Sequence, residues 1–295
     1  MHRDITRQIF NRTIDIDGIE FFYREAGDKK NPAILLLHGF PSSSLMFKNL
    51  MIALSDKFYL VAPDYPGFGF SAFPQEKNFK YSFNNISNYI NRFTAKIGLK
   101  LFTIYLHDYG CPIGLRLCIK NPEKIEGIIV QNGNAYDEGI GPQWDETIDY
   151  WKNPTALKKV KVSQFLTEEG IRMQYTAGLP DELLCRVSPE LWMLDWQLMQ
   201  RQGNIDMQFE LNCDYKSNIE MFPLFQNYFR KHQPAALIIW GKYDAFFDVK
   251  EASCYKRDLP KAQVHIIEGG HMALETNFDE VSNLIRNFMR GLQNS

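Results

Sequence analysis

The sequence predicts an α/β protein with a largely parallel sheet, interrupted by one long helical segment. Three observations lead to this fold class: short apolar runs without polar alternation, helical patterns between several of them, and a long stretch that contains no convincing strand. With 295 residues, the chain is long enough for one large α/β domain that carries an insertion.

Six apolar runs predict strands that are covered on both faces, because few charges interrupt them and polar residues do not alternate along them. They span residues 33–37, 58–62, 102–106, 127–131, 235–240 and 263–267. Before them, residues 13–17 and 20–24 flank Gly18, which predicts an antiparallel hairpin.

Helical spacing is clearest in two segments. Behind Ser82, a residue type favoured at helix N-caps, apolar side chains recur three, four or seven positions apart from Phe83 to Ile97. A similar pattern from Phe278 to Leu292 predicts a closing C-terminal helix.

The alternation of strands and helices stops between residues 134 and 233, where helical segments and four of the five tryptophans are found. We therefore predict a core domain formed by residues 1–133 and 234–295, and an all-helical cap at 134–233. A cap inserted in this way is expected to cover a pocket.

Composition narrows the function classes. A net charge of −2 gives no reason to expect nucleic acid or an anionic membrane as a partner. The five cysteines are widely spread and form no CxxC pair, which argues against a disulfide scaffold or a zinc cluster. Residues 1–10 are polar and lack the apolar stretch of a signal peptide, and no apolar run is long enough to cross a membrane. We expect a cytoplasmic protein.

Distinctive residues follow the predicted strands. These are His38-Gly39-Phe40-Pro41, Asp64-Tyr65-Pro66-Gly67-Phe68-Gly69-Phe70-Ser71, His107-Asp108-Tyr109-Gly110, Gly241-Lys242-Tyr243-Asp244 and Gly269-Gly270-His271. In open α/β sheets, reactive groups gather at the carboxyl ends of strands. An isolated aspartate in such a turn is most often an N-cap. The functional interpretation therefore depends on the occurrence of all these motifs together and in this order.

This ordered set resembles the α/β-hydrolase superfamily over nearly the whole chain. Because an aspartate stands at the strand-to-helix elbow, it resembles the branch of epoxide hydrolases and haloalkane dehalogenases. The resemblance implies a mostly parallel eight-stranded sheet flanked by helices, with a helical cap. It also implies a catalytic triad of Asp108 as nucleophile, Asp244 as acid and His271 as base, with an oxyanion hole formed by the backbone N–H groups of Phe40 and Tyr109.

Such a triad needs no cofactor and no metal. A carboxylate that attacks an sp3 carbon displaces a leaving group and forms an alkyl ester with the enzyme, which water activated by the histidine then hydrolyses. A serine mechanism has little support, because no G-x-S-x-G is present and Ser42, Ser43 and Ser44 lie in another loop. The expected partners are a small apolar organic substrate and water.

Two features of the elbow depart from the family pattern. Leu106 stands where a small residue is usual, and Tyr109 replaces a tryptophan whose indole N–H helps hold the halide in dehalogenases. With Phe40 at the position where dehalogenases often carry asparagine, these residues favour epoxide hydrolysis over dehalogenation.

Epoxide opening also requires a proton donor, and Tyr150 and Tyr215 of the insertion lie about where the family places its pair. Two alternatives remain open at this point. One is a haloalkane or haloacid dehalogenase, and the other is a non-catalytic protein of the same fold that binds a small ligand.

Overall fold

A computed structural model describes residues 7–74 and 79–293. Residues 1–6, which belong to the polar N-terminal segment considered above, lie outside the described residues. Across the described part, the chain forms a mixed sheet flanked by helices, which confirms the predicted α/β-hydrolase architecture.

The sheet has eight strands among the described residues, in the order β1-β2-β4-β3-β5-β6-β7-β8. The first two pairings, β1 with β2 and β2 with β4, are antiparallel, and all later pairings are parallel. The strands are β1 (Ile9–Ile16), β2 (Ile19–Ala26), β3 (Ala33–Leu37), β4 (Tyr59–Pro63), β5 (Phe102–His107), β6 (Ile125–Gln131), β7 (Ala235–Gly241) and β8 (Gln263–Ile267). The predicted strands are therefore confirmed, with ends that shift by no more than a few residues.

The hairpin between β1 and β2 turns at Asp17 and Gly18, which have φ values of 53° and 83°. Two consecutive residues with positive φ are typical of the type I′ turn, and an Asp-Gly pair suits that turn because both residue types tolerate this conformation.

Strand β3 illustrates why the central runs do not alternate. Ile34 and Leu36 pack into the hydrophobic core on one face of the sheet, whereas Leu35 and Leu37 pack into the core on the other face. Because helices cover both faces, both sets of side chains must be apolar.

In the part of the chain that the structure describes, six α-helices flank the sheet. They are α1 (Lys48–Leu54), α2 (Phe83–Lys96), α3 (Gly110–Lys120), α11 (Lys250–Asp258), α12 (Ala273–Thr276) and α13 (Phe278–Gln293). Side chains of α1 and α13 join one core, and side chains of α2, α3 and α11 join the other. Helix α2 begins as predicted, since Oγ of Ser82 accepts the backbone N–H of Asn85 at 3.2 Å.

Between β6 and β7, a stretch described without a gap, the regular elements are helical. They are α4 (Asp145–Lys152), α5 (Ala156–Val162), α6 (Glu168–Thr176), α7 (Asp181–Leu184), α8 (Pro189–Met199), α9 (Asn204–Asp214) and α10 (Lys216–His232). Within residues 7–74 and 79–293, no helix combines the length and apolar character needed to cross a membrane.

Candidate active site

The turn between β5 and α3 carries Asp108 in a left-handed backbone conformation, with φ of 49°. This conformation is uncommon for residues other than glycine, and aspartate is among the types that adopt it more often. The loop after β3 approaches this turn very closely. A Cβ atom on Gly39 would lie 2.2 Å from Cβ of Asp108, so only glycine fits at that position.

The carboxylate of Asp108 is held by backbone donors. The N–H of Phe40 donates to Oδ1 at 2.5 Å, and the N–H of Tyr109 also hydrogen-bonds to this carboxylate. Burial raises the pKa of Asp108 to about 6, while the neighbouring His271 and the two N–H groups act in the opposite direction. Asp108 is therefore mostly ionised at neutral pH. The structure brings Phe40 and Tyr109 to the predicted nucleophile as a pair of backbone donors.

His271 follows β8 and lies between two carboxylates. Its Nδ1 is 2.9 Å from Oδ2 of Asp244, and its Nε2 is 3.9 Å from Oδ2 of Asp108. The second distance is too long for a hydrogen bond. Among the described residues, Nε2 of His271 has no hydrogen-bond partner. The histidine is thus oriented by one carboxylate and presents its other nitrogen towards the second.

Asp244 follows β7, and both oxygens of its buried carboxylate have hydrogen-bond partners. Oδ1 accepts the backbone N–H groups of Phe246 at 2.7 Å and Phe247 at 3.1 Å. Burial alone would raise the pKa of Asp244, but the charge and hydrogen bond of His271 and these N–H groups hold it below its ordinary value. Burial lowers the pKa of His271, yet Asp244 and Asp108 outweigh this effect and raise it above its ordinary value.

Asn132 is a site residue that the sequence reasoning missed. It follows β6 with φ of 46°, its Nδ2 donates to Oδ2 of Asp244 at 2.6 Å, and its Oδ1 accepts the N–H of Gly241 at 3.2 Å. Its carbonyl oxygen also accepts the N–H of Asp108 at 3.1 Å. The sequence did offer a sign of its role, because Asn132 directly follows a buried strand and functional residues gather at the carboxyl ends of such strands.

Two buried histidines lie beside the site. Burial lowers the pKa of His38 and of His107 to about 3, so both are neutral. Nδ1 of His38 lies 3.0 Å from the carbonyl oxygen of Gly39, and the ring of His107 packs 4.8 Å from that of His271. These contacts indicate structural roles for both histidines.

Tyr109 and the two candidate proton donors, Tyr150 and Tyr215, occupy different positions. Tyr109 lines the cavity next to Asp108, and its hydroxyl interacts with the side chain of Asn212. Tyr215 is fully buried behind it, with 6.0 Å between the two ring centroids, and its hydroxyl accepts Nδ2 of Asn134 at 3.2 Å. Tyr150 packs against Phe209, and neither Tyr150 nor Tyr215 is among the residues that line the cavity.

A cavity of about 290 Å³ opens above Asp108. Its wall on the sheet side includes Phe40 and Tyr109, while Trp144 and Phe165 contribute from the helical insertion. This volume is at the small end of typical ligand pockets. Across residues 7–74 and 79–293, no three His, Cys, Asp or Glu side chains form a group that could hold a metal ion.

Comparison with known proteins identifies the family. The family model for the alpha/beta hydrolase fold matches residues 32–278, so the chain belongs to the α/β-hydrolase family and is an α/β-fold hydrolase. It is 40% identical over 266 residues to "Uncharacterized hydrolase YNR064C" of Saccharomyces cerevisiae, an alignment that covers 88% of this chain and 90% of the relative.

Two further similarities are one to a part of a relative's sequence and one to the fold of a solved structure. Haloalkane dehalogenase 2 of Mycobacterium tuberculosis is 34% identical over 101 residues, which cover 34% of this chain and 35% of the relative. The structure of a putative epoxide hydrolase from Pseudomonas aeruginosa matches with a TM-score of 0.79 and 16% identity, covering 98% of each chain. The predicted resemblance to this superfamily is therefore confirmed.

Proposed function

We propose that this hydrolase uses Asp108 as a nucleophile, forms an alkyl ester with the enzyme, and acts on small apolar epoxides. The observation that carries the proposal is the arrangement around Asp108. Its carboxylate accepts two backbone N–H groups, and the unpaired Nε2 of His271 lies 3.9 Å from its Oδ2. The acid Asp244 orients that histidine through its other ring nitrogen.

In the first step, an oxygen of Asp108 attacks an epoxide carbon. The new C–O bond joins substrate and enzyme, and the epoxide C–O bond breaks with its electron pair on the oxygen. This oxygen must receive a proton as it leaves, so the step needs an acid close to the nucleophile. The product of this step is a hydroxyalkyl ester on Asp108.

Tyr109 is the donor that the cavity wall supports best, because it lies beside Asp108 and lines the cavity. Burial raises the pKa of its hydroxyl, and the nearby carboxylate of Asp108 adds to this effect, so the group stays protonated until an alkoxide forms. The hydrogen bond from Asn212 acts in the opposite direction and would stabilise the resulting phenolate.

Tyr215 is the second proposed donor. Its ring stands next to that of Tyr109, and Asp108 contributes to the raised pKa of its hydroxyl, although burial is the larger cause. Because this hydroxyl accepts the amide N–H of Asn134, its own proton is available for donation. Tyr150 has less support, since its ring packs against that of Phe209 with 5.5 Å between the centroids.

In the second step, His271 takes a proton from water, and the resulting hydroxide attacks the carbonyl carbon of the ester. Negative charge then develops on the carbonyl oxygen, where the N–H groups of Phe40 and Tyr109 would stabilise it. Collapse of this intermediate breaks the bond between the carbonyl carbon and the substrate oxygen. The departing alkoxide takes the proton of the newly formed carboxylic acid, which releases a diol and leaves Asp108 ionised. The proton held by His271 returns to the tyrosinate of the donor, so all three groups are regenerated.

We further propose that residues 134–233 form a cap domain on a core of residues 1–133 and 234–295. The helical character of this stretch and the positions of Trp144 and Phe165 in the cavity wall support this division.

A second candidate is dehalogenation, which the similarity to Haloalkane dehalogenase 2 favours. The same attack by Asp108 would release halide, and the hydroxyl of Tyr109 could donate to that anion. The third alternative, a protein that binds an apolar ligand without turnover, uses the same cavity but forms no covalent bond.

A His271→Gln variant tests all three. We expect incubation with 1,2-epoxybutane to add the mass of the epoxide to the protein, with the modification on a peptide that contains Asp108. An adduct from 1-bromobutane with none from the epoxide would establish the dehalogenase alternative. Absence of an adduct across a panel of both substrate classes would favour the binding alternative.

Tyrosine variants test the donors separately. Tyr109→Phe and Tyr215→Phe should each slow adduct formation from 1,2-epoxybutane by about tenfold or more, within the range for general acid catalysis. Tyr150→Phe serves as the matched comparison in the same insertion. A larger effect of Tyr150→Phe than of the other two would reverse the assignment of donors.

A further inference from the structure

Glu251, at the beginning of α11, is a fully buried carboxyl group that the proposed reaction does not use. Its Oε1 accepts the backbone N–H groups of Ala135 at 2.5 Å and Tyr136 at 2.9 Å. Its Oε2 has no hydrogen-bond partner among the described residues. A buried oxygen without a partner destabilises the folded state, so its surroundings require an explanation.

The nearest explanation is the side chain of Asn134, which is also fully buried. Its Nδ2 donates to the hydroxyl of Tyr215, whereas its Oδ1 has no partner among the described residues. The two unpaired oxygens adjoin the same small space. A Cβ atom on Gly139 would lie 1.6 Å from Oε2 of Glu251 and 2.5 Å from Oδ1 of Asn134.

Two acceptor oxygens that share a buried space repel each other unless a proton lies between them. We infer that Glu251 is a neutral carboxylic acid whose O–H donates to Oδ1 of Asn134, which fixes this amide with its N–H directed at Tyr215. One proton thereby satisfies both oxygens. Burial raises the pKa of Glu251 well above its ordinary value, despite the two backbone N–H groups that act against it.

The orientation of the amide decides what Tyr215 can do. With Oδ1 bound by Glu251, the N–H of Asn134 occupies an acceptor site of the Tyr215 hydroxyl and leaves the hydroxyl proton free for donation. With an ionised Glu251, the amide would turn its N–H to the carboxylate and accept the proton of Tyr215 instead. Glu251 and Asn134 are therefore positioning residues for Tyr215. This last consequence rests on the proposed function.

The protonation state of Glu251 can be measured without any substrate. An infrared difference spectrum between the wild-type protein and Glu251→Gln at pH 7 should contain the carbonyl stretch of a protonated carboxylic acid in the wild type. A difference spectrum with carboxylate bands in its place would overturn the inference. The glutamine keeps an oxygen for Ala135 and Tyr136 and offers an N–H to Asn134, so it perturbs the fold little.

The link to Tyr215 is tested by a double-mutant cycle in the His271→Gln background, with the rate of adduct formation from 1,2-epoxybutane as the readout. We expect Asn134→Ala and Tyr215→Phe each to slow this rate by about tenfold or more, and the double variant to be no slower than Tyr215→Phe alone. Rates that multiply would mean that Asn134 acts through the fold and not through Tyr215.

Two further variants complete the design. Asn218 is an equally buried asparagine that bonds to Arg116, and the effects of Asn218→Ala and Tyr215→Phe on the rate should multiply in the double variant.

Glu251→Gln should form the adduct faster than Glu251→Leu, because only the glutamine can donate to Asn134. If Glu251→Leu does not fold, the cycle between Asn134 and Tyr215 decides the question. If no epoxide forms an adduct at all, the proposed function fails, while the infrared result still decides the state of Glu251.

Discussion

Leu106 packs its Cδ2 atom into the space that a Cβ on Gly114 would fill, 2.2 Å from that position. Leu106 lies two residues before the proposed nucleophile, where its size departs from the family pattern. The missing side chain at Gly114, on the helix that follows the elbow, compensates for this size. The large residue is thus accommodated beneath the turn without displacing Asp108.

Gly114→Ala should therefore destabilise the protein by about 1–3 kcal/mol, because Leu106, Ile104 and Leu37 surround the added methyl group at 2.2–3.0 Å. Chemical denaturation measures this change. In combination with Leu106→Ala, the loss should be smaller than the sum of the two single losses, because the methyl group then fills part of the cavity. Gly291→Ala, at a helical position with open space around its Cβ, should not destabilise; equal losses at both glycines would contradict the packing argument.

Asp108→Asn should abolish adduct formation, with a loss of at least about 10⁴-fold, because an amide is not a nucleophile towards an sp3 carbon. Asparagine suits this test because it tolerates the left-handed backbone that the turn requires. Intact-protein mass spectrometry follows the adduct, and circular dichroism checks the fold. Labelling of another carboxylate at an undiminished rate would remove Asp108 from its proposed role.

Asn132→Gly should slow hydrolysis of the ester by about 10–100-fold, since a hydrogen bond to a charged group contributes about 1.5–3 kcal/mol. Glycine accepts the φ of 46° but removes the amide that holds Asp244. Single-turnover decay of the adduct in the presence of an intact His271 is the measurement. Asp17→Gly, at a hairpin position with φ of 53° far along the chain from the site, controls for the backbone change. Equal effects of the two substitutions would deny Asn132 a part in orienting Asp244.

The rates of both steps should fall as the pH decreases, but they should fall in different pH ranges. Asp108 attacks only when ionised, so adduct formation should fall as the pH drops through about 6, the pKa to which burial raises this group. His271 accepts a proton only when neutral. Its pKa is raised chiefly by Asp244, whose charge persists when Asp108 is esterified, so hydrolysis should already fall at higher pH. Rates of formation and decay measured from about pH 5 to 9 separate the two.

Asp244→Asn is the informative variant for the pH profile. Removing this charge takes away the main cause that raises the pKa of His271. The decrease in the rate of hydrolysis should therefore move to lower pH, and the maximum rate of hydrolysis should be smaller. If the pH range in which hydrolysis slows is the same in this variant, the pH dependence belongs to a group other than His271.

The sequence by itself determined the fold class and the positions of the proposed reactive residues. Strands buried on both faces leave continuous apolar runs, and parallel strands direct their carboxyl ends to one edge, so the residues after β3, β5, β7 and β8 had to meet. This is why Phe40, Asp108, Asp244 and His271 could be named from local motifs. The helical character of the insertion was equally readable, because periodicity is a local property.

Only the tertiary structure decided which side chains face one another. Asn132 has no motif, and its amide reaches Asp244 because β6 and β7 are neighbours in the sheet. Tyr150 and Tyr215 have comparable spacing arguments, yet packing leaves one against Phe209 and buries the other behind Tyr109. Glu251 adjoins Asn134 at the position of Gly139. Asn134 and Gly139 are close in sequence, but Glu251 is far from both. Such relationships depend on how helices rotate and pack, which residue spacing does not specify.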